Sequence, residues 1–306
     1  MVWRKYGLEM EFTGITRKRA AELAAEQFGT TAAYSFEGDK YSITDTRGRI
    51  WTVLPCPGVR AERWQNNKMV GANQLYQVKV STPLLYESDF ETVEKILGRL
   101  ETGGAVTNES TGMAVRLGMS GLNSPERFEN NLANIYESKG TLLQKAIGRE
   151  FGSLADCSQL GEQGVVSLPL FPGSLDENEV RGYVQLAQCV VDFAAKSKRI
   201  QHKENDSPNE KFRLRTWLVR IGFVGEEFKY ARKLLTENLS GNSAWLRKTE
   251  IESQAGEMET TAQPQEGQRE DLESPSPEAD SGMEPLPSPV PTEEEAEEVP
   301  QNEIKM

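Results

Sequence analysis

Two glutamates near the amino terminus, Glu9 and Glu11, have the type and spacing that most directly suggest chemistry. They lie in Tyr6–Phe12, where apolar and acidic residues alternate. Residues two apart in a β-strand point to the same face and lie about 6–7 Å from each other, so both carboxylates would share one face. Such a pair can supply oxygen ligands to a hard cation such as Mg²⁺. The alternative is a solvated strand face, and the spacing alone leaves both open.

Few other reactive side chains are available. The chain has one histidine, His202, in a polar stretch, and three widely separated cysteines, Cys56, Cys157 and Cys189. A catalytic histidine pair or a multi-histidine metal site is therefore excluded, and without a CxxC pair a zinc knuckle or disulfide scaffold is disfavoured. This cysteine usage is typical of a reducing, cytoplasmic compartment. We expect Cys189 to be a core residue, because it falls on the apolar face of a predicted helix.

Basic and aromatic residues are interleaved after position 209. Arg213, Trp217 and Arg220 belong to this segment, and such a combination can bind nucleic acid. However, residues 1–249 carry a net charge of only +3, which gives little attraction to phosphates, and packing explains the same residues. We therefore disfavour nucleic acid as a partner. A membrane is also disfavoured, because no apolar run approaches the roughly 20 residues needed to span a bilayer.

Hydrophobic periods and capping residues predict the elements that position these side chains. Pro169 restricts the last predicted strand to an edge or bulged position. Strands are predicted at 6–12, 33–36, 41–45, 49–54, 74–82, 113–117 and 165–171. Six helices are predicted. The first runs over 17–28, between the caps Thr16 and Gly29; the second starts at a Ser88/Glu91 capping box and ends at Gly103; the third starts at Ser124–Pro125 and ends at 147. The others run over 177–196, capped by Asp176, over 209–221 and over 226–238.

The order of these elements lacks the regular strand–helix–strand spacing of a parallel sheet. It predicts an α+β fold with a mostly antiparallel sheet and helices packed on one side. The segment from 250 to 306 differs, with 17 acidic residues, two basic ones and eight prolines. We therefore predict a folded domain over residues 1–248 and a disordered acidic tail, rich in Pro, Glu and Ser, over 249–306.

Several segments resemble, in serial order, the amidoligase family found in bacteria and mobile elements. The resemblance extends over about residues 4–248 and implies a glutamine-synthetase-like fold, also similar to glutamate–cysteine ligase. The segments are Gly7–Thr16 (GLEMEFTGIT), Gly48–Val53 (similar to GRKWKV), Tyr76–Pro83 (similar to YxVEVVSP), Gly104–Met113 (which leads to a segment similar to CGIHIHV), Gly164–Leu175 (similar to GTVEFRLFNGTL) and Asn209–Trp245.

The family resemblance implies ATP-dependent joining of a carboxylate to an amine, with Mg²⁺ and ATP as cofactors. In the family, paired glutamates, a strand glutamate, a His-x-His pair and a Glu-x-Arg pair serve the metal and the phosphates. Here Glu9 and Glu11 match the paired glutamates. The other positions are replaced, and a His-rich loop before the last strand is missing. The replacements are Lys79 for the strand glutamate, Ala114 and Arg116 for the histidines, and Ser167 and Pro169 for the Glu-x-Arg pair.

These replacements predict a degenerate member, a pseudoenzyme that needs no cofactor and acts in binding or scaffolding in a bacterial or phage cytoplasm. Its partner would be a protein, or a small molecule or nucleotide in the former cleft. Lys79 and Arg116 would face Glu9 and Glu11, either as internal ion pairs or as an anion site. The alternative is an active ligase that keeps Mg²⁺ and ATP and takes replacement ligands from elsewhere, with Glu62 and Asp89 as candidates.

Overall fold

The computed structural model describes residues 3–150, 164–201 and 208–242. All of them lie in one unit of the chain, residues 1–259. The described strands are β1 (Tyr6–Phe12), β2 (Ala33–Ser35), β3 (Lys40–Thr44), β4 (Ile50–Pro55), β5 (Glu62–Gln65), β6 (Lys68–Gly71), β7 (Val78–Ser81), β8 (Gly112–Gly118) and β9 (Val165–Pro172). The described α-helices are α1 (Arg17–Phe28), α2 (Phe90–Thr102), α3 (Pro125–Ile147), α4 (Glu177–Lys196), α5 (Glu210–Arg220) and α6 (Lys229–Glu237).

Seven strands form one antiparallel sheet in the order β2-β3-β4-β7-β1-β8-β9, and β5 and β6 form a separate hairpin. The predicted α+β class with a mostly antiparallel sheet is confirmed. Strand β1 lies inside the sheet, paired with β7 on one side and β8 on the other. Any side chain of β1 therefore has neighbours from two further strands.

The two faces of β1 differ in composition, as the alternating sequence predicts. Leu8, Met10 and Phe12 are fully buried in the hydrophobic core, whereas Glu9 and Glu11 on the other face are partly exposed. Helix α1 packs against β3, β4 and β7, and α4 packs against β8, with α3 and α6 contacting α4. The core thus fixes the strand from one side and leaves both carboxylates on the other.

Local capping chemistry sets several helix ends as predicted. The Thr16 hydroxyl accepts a hydrogen bond from the Arg19 N–H at the start of α1. Gly29 ends that helix with a φ of 64°, a left-handed conformation that glycine adopts without steric cost. Asp176 accepts hydrogen bonds from the N–H groups of Asn178 and Glu179 at the start of α4.

Two predicted boundaries are wrong. Residues 74–76 form a 3₁₀ turn, capped by the Asn73 side chain, so the predicted strand 74–82 begins only at Val78. The Ser88/Glu91 capping box does not form, because a 3₁₀ turn at 87–89 precedes α2 and the Asp89 carboxylate accepts from the Tyr86 N–H. The last helical segment begins at 226 as predicted, and its first turn, 226–228, is a 3₁₀ turn that leads into α6.

None of the helices in the described ranges is long and apolar enough to cross a membrane. Cys189 is fully buried, as predicted for a core residue. His202, Cys157 and the predicted tail lie outside the described residues, so the tail and the domain boundary at 248 stay predictions.

Candidate functional site

Strand register brings the two glutamates of β1 next to two cationic residues of the neighbouring strands. Glu11 lies opposite Lys79 of β7, and Glu9 lies opposite Ser81 two residues further on. On the other side, the register places Arg116 of β8 opposite Gly7, which lies two residues before Glu9 on the same face of β1. Because side chains alternate along each strand, all four charged side chains project from the same face.

The four side chains form a compact ionic group, here called the Glu–Lys–Arg cluster (Glu9, Glu11, Lys79 and Arg116). The Lys79 Nζ atom lies 3.6 Å from Glu9 Oε2 and 3.3 Å from Glu11 Oε1, so it bridges the two carboxylates. The Arg116 Nε atom lies 3.7 Å from Glu9 Oε1. The side chains are only 21–31% exposed, which limits screening by solvent. Two negative and two positive charges leave the cluster neutral.

Hydrogen bonds from outside the cluster fix its members further. Glu11 Oε2 accepts from the Gly112 N–H at 2.9 Å, and Glu11 Oε1 accepts from the Cys56 thiol at 3.2 Å. The Arg116 guanidinium donates to the Thr82 backbone carbonyl. Both oxygens of Glu11 therefore have partners within the protein.

The charges of the cluster shift the pKa of one neighbour, Cys56, and of one member, Lys79. Burial, the hydrogen bond to Glu11 and the charge of Glu11 raise the pKa of the Cys56 thiol to about 11, so this cysteine is a neutral thiol at pH 7. Burial lowers the pKa of Lys79, but the charges of Glu11 and Glu9 and the hydrogen bond to Glu11 favour the cation, so that pKa lies above its ordinary value. Lys79 is therefore a full cation between the two carboxylates.

A third cationic residue, Arg149, lies just beyond the end of α3 and reaches the beginning of β8. Its guanidinium donates to the backbone carbonyls of Thr111 at 3.0 Å and Phe171 at 2.6 Å. It fills the space in which a side chain at Gly112 would lie, since a Cβ there would collide with the guanidinium. A side chain at Gly112, the residue whose N–H holds Glu11, would therefore displace the Arg149 guanidinium. Sequence reasoning missed both Arg149 and Cys56.

The other replaced family positions contribute no charge to this face. Ala114 lies opposite Glu9, and Ser167 lies opposite Arg116. Pro169 lies in β9, the edge strand of the sheet, beside a register irregularity between Met113 and Val115. Its position agrees with the predicted edge or bulged strand, because proline cannot donate a ladder hydrogen bond.

Comparison with known families identifies the amino-terminal half of the chain. Residues 3–154 match the family model described as "Putative amidoligase enzyme". Over these residues the chain belongs to the amidoligase family. The matched region runs from β1 through α3 and contains the whole Glu–Lys–Arg cluster. The resemblance of Gly164–Leu175 and Asn209–Trp245 lies beyond it and stays a prediction. No curated protein matches the chain.

In this amidoligase-family chain, the two candidate replacement ligands are engaged elsewhere. Glu62 accepts hydrogen bonds from Asn108 Nδ2 at 2.7 Å and from Arg60 Nε at 3.2 Å. Asp89 is held by the Arg49 guanidinium at 2.6 Å and by Arg47 at 2.9 Å. The structure brings neither carboxylate into contact with Glu9 or Glu11.

The described residues do not fit the Mg²⁺ site that the amidoligase family implies. Within residues 3–150, 164–201 and 208–242, no group of three or more His, Cys, Asp and Glu residues could hold a metal ion. Glu9 and Glu11 offer oxygen atoms, but the Lys79 ammonium lies between them. A divalent cation would have to displace this ammonium, which is ion-paired with both carboxylates, because like charges repel strongly at such distances.

Proposed function

We propose that this chain is a catalytically degenerate amidoligase-family protein, a pseudoenzyme that acts through binding or scaffolding. One observation carries the proposal. The Lys79 ammonium occupies the space between the Glu9 and Glu11 carboxylates, at 3.6 and 3.3 Å. These two glutamates are the candidate metal ligands, so an internal cation stands where the family's reaction needs a metal.

The energetic argument concerns the phosphates of ATP. Joining a carboxylate to an amine with ATP requires divalent cations to hold the phosphates and offset their developing charge. A cation about 4 Å from the Lys79 ammonium would meet a repulsion of about 4 kcal/mol per unit charge at an effective dielectric constant of 20. Binding Mg²⁺ here would also break both of the ion pairs that Lys79 forms.

The replaced positions of the family support the same proposal. Ala114, Ser167 and Pro169 carry no group that could coordinate a metal as an imidazole or carboxylate does, and Arg116 adds a further cation. The two cations and two carboxylates of the Glu–Lys–Arg cluster balance, and the nearby Arg149 guanidinium is engaged by the backbone carbonyls of Thr111 and Phe171, so the face has little net attraction for phosphate. This balance favours internal ion pairs over an anion or nucleotide site, and it favours a protein as the partner of the retained fold.

The proposal is tested by calorimetric titration of ATP into the full chain, with and without Mg²⁺. Wild type is compared with Glu9→Gln/Glu11→Gln and with a matched control, Glu22→Gln/Glu26→Gln, which changes two exposed carboxylates of α1. We expect no Mg²⁺-dependent binding by any of the three proteins. Micromolar, Mg²⁺-dependent binding that is lost only in Glu9→Gln/Glu11→Gln would overturn the proposal in favour of an active ligase with Mg²⁺ and ATP.

A further inference from the structure

A cavity of about 890 Å³ opens between three helices on a different part of the molecule. Its lining comes from α3, α4 and α5 and from residues 199–201, with no residue from the sheet. Small-molecule sites usually have volumes of about 300–1,000 Å³, so this cavity has the size of a ligand site. Helices α4 and α5 follow residue 154, so most of the cavity lies outside the region that matches the amidoligase family.

The deeper part of the cavity is apolar. Ile135 and Leu142 come from buried positions of α3, and Phe193 comes from α4. Phe212 and Trp217 come from α5, and Trp217 is only 7% exposed. Two apolar side chains and three aromatic rings from three helices thus form a surface against which a flat or branched apolar group can pack.

The edge of the cavity is cationic. Four basic residues line it, and no acidic residue is found among its described lining: Lys139, Arg199, Arg213 and Arg220. Arg199 and Arg220 are exposed, and neither forms an ion pair with another residue in the described ranges. The Arg220 guanidinium lies 5.9 Å from the centre of the Phe193 ring, so it stands directly above the apolar part.

The combination of an apolar floor and a cationic edge is complementary to one class of ligand. We propose that this cavity binds a small amphipathic organic anion, whose aromatic or branched apolar body packs on Phe212 and Trp217. Its carboxylate, or a comparable anionic group, is held at the edge by Arg199 and Arg220. Guanidinium groups suit this task, because they offer paired donors to an anion while stacking on aromatic rings. The inference is independent of the proposed function of the Glu–Lys–Arg cluster.

Two probes of the same shape but different charge test the proposal. 1-Naphthylacetate carries a carboxylate, and 1-naphthylacetamide is its neutral counterpart. We expect the full chain to bind the carboxylate at least tenfold more tightly than the amide, a difference of about 1.4 kcal/mol. The preference should shrink as salt is added, because the arginines are exposed. The indole N–H signal of Trp217, assigned with Trp217→Phe, should shift on titration.

Variants at the edge of the cavity provide the second test. Arg199→Gln/Arg220→Gln should weaken binding of the carboxylate about tenfold and leave the amide unchanged. The matched control, Arg63→Gln/Lys68→Gln, removes two exposed charges from the β5–β6 hairpin and should leave both affinities unchanged. Any one of four results would overturn the proposal. Two concern affinity: the two probes bind equally well, or neither binds at millimolar concentration. The other two are equal effects of the two double variants and an unshifted Trp217 signal.

Discussion

Removing the charge of Lys79 is the most informative perturbation of the ionic group on β1. Lys79→Met keeps most of the length of the side chain but leaves Glu9 and Glu11 facing each other without the cation that bridges them. If the ion pairs stabilise the fold, this variant lowers the free energy of unfolding at pH 7.

The expected size of the effect follows from the geometry. At an effective dielectric constant of 20, pairs at 3.6 and 3.3 Å correspond to about 4–5 kcal/mol each, which is an upper limit because hydration is lost. Breaking a fully buried pair costs about 3–5 kcal/mol, and an exposed pair contributes about 0–1 kcal/mol. Lys79 is 26% exposed, and its partners are 31% and 21% exposed. We therefore expect a loss of about 2 kcal/mol.

The assay is urea unfolding in a mutant cycle of four proteins at pH 7. They are wild type, Lys79→Met, Glu9→Gln/Glu11→Gln and the triple variant. In the triple variant, the effect of Lys79→Met should fall to about zero, because the carboxylates that it pairs with are gone. Lys95→Met serves as control. It removes an exposed i,i+4 pair with Glu91 and should change stability by less than about 0.5 kcal/mol.

Two results would refute this reasoning. One is an effect of Lys79→Met that is the same with and without the glutamates, since the loss would then come from packing of its apolar stem. The other is a neutral or stabilising Lys79→Met, which would show that the ammonium brings no net stabilisation and that the two carboxylates tolerate one another.

Two further predictions concern a thiol and a pH dependence. Burial and Glu11 raise the pKa of the Cys56 thiol to about 11, so little reactive thiolate is present at pH 8. We expect iodoacetamide to alkylate Cys56 on the order of 100-fold more slowly in the folded protein than in the unfolded chain, as measured by peptide mass spectrometry. Equal rates would contradict this prediction. Burial raises the pKa of Asp89, but Arg49 and other donors outweigh this effect and lower the pKa below its ordinary 3.8. The stabilisation by the Asp89 carboxylate is therefore present above about pH 4 and is lost as the pH falls below about 4. Asp89→Asn should therefore cost about 3 kcal/mol at pH 7 and flatten the dependence of stability on pH below about pH 4, measured by urea unfolding; an unchanged slope would count against it.

The sequence predicted those elements whose signals are local. The alternation of Tyr6–Phe12 gave β1, and the caps Thr16 and Gly29 gave both ends of α1. The start of α2 could not be predicted in this way. Asp89 is engaged by Arg49, 40 residues earlier in the chain, and a pairing of that kind has no local signal.

The candidate site shows the same division. The strand period alone predicted that Glu9 and Glu11 share a face, and the family resemblance predicted that Lys79 and Arg116 would face them. Cys56 and Arg149 could not be found from the sequence, because one follows a strand and the other follows a long helix. Only the packing of these elements brings Cys56 to Glu11 and Arg149 to Gly112. A glycine at position 112 is compatible with a close neighbour, but it does not identify Arg149 as that neighbour.

The central claim is that an internal cation has replaced the metal on this face of the sheet. It is tested most directly by titrating the full chain with Mn²⁺, a paramagnetic substitute for Mg²⁺, and measuring the free ion by electron paramagnetic resonance. We predict no site tighter than millimolar in wild type, and the same result in Glu9→Gln/Glu11→Gln. One Mn²⁺ bound at micromolar concentration in wild type, and lost in Glu9→Gln/Glu11→Gln, would contradict the claim.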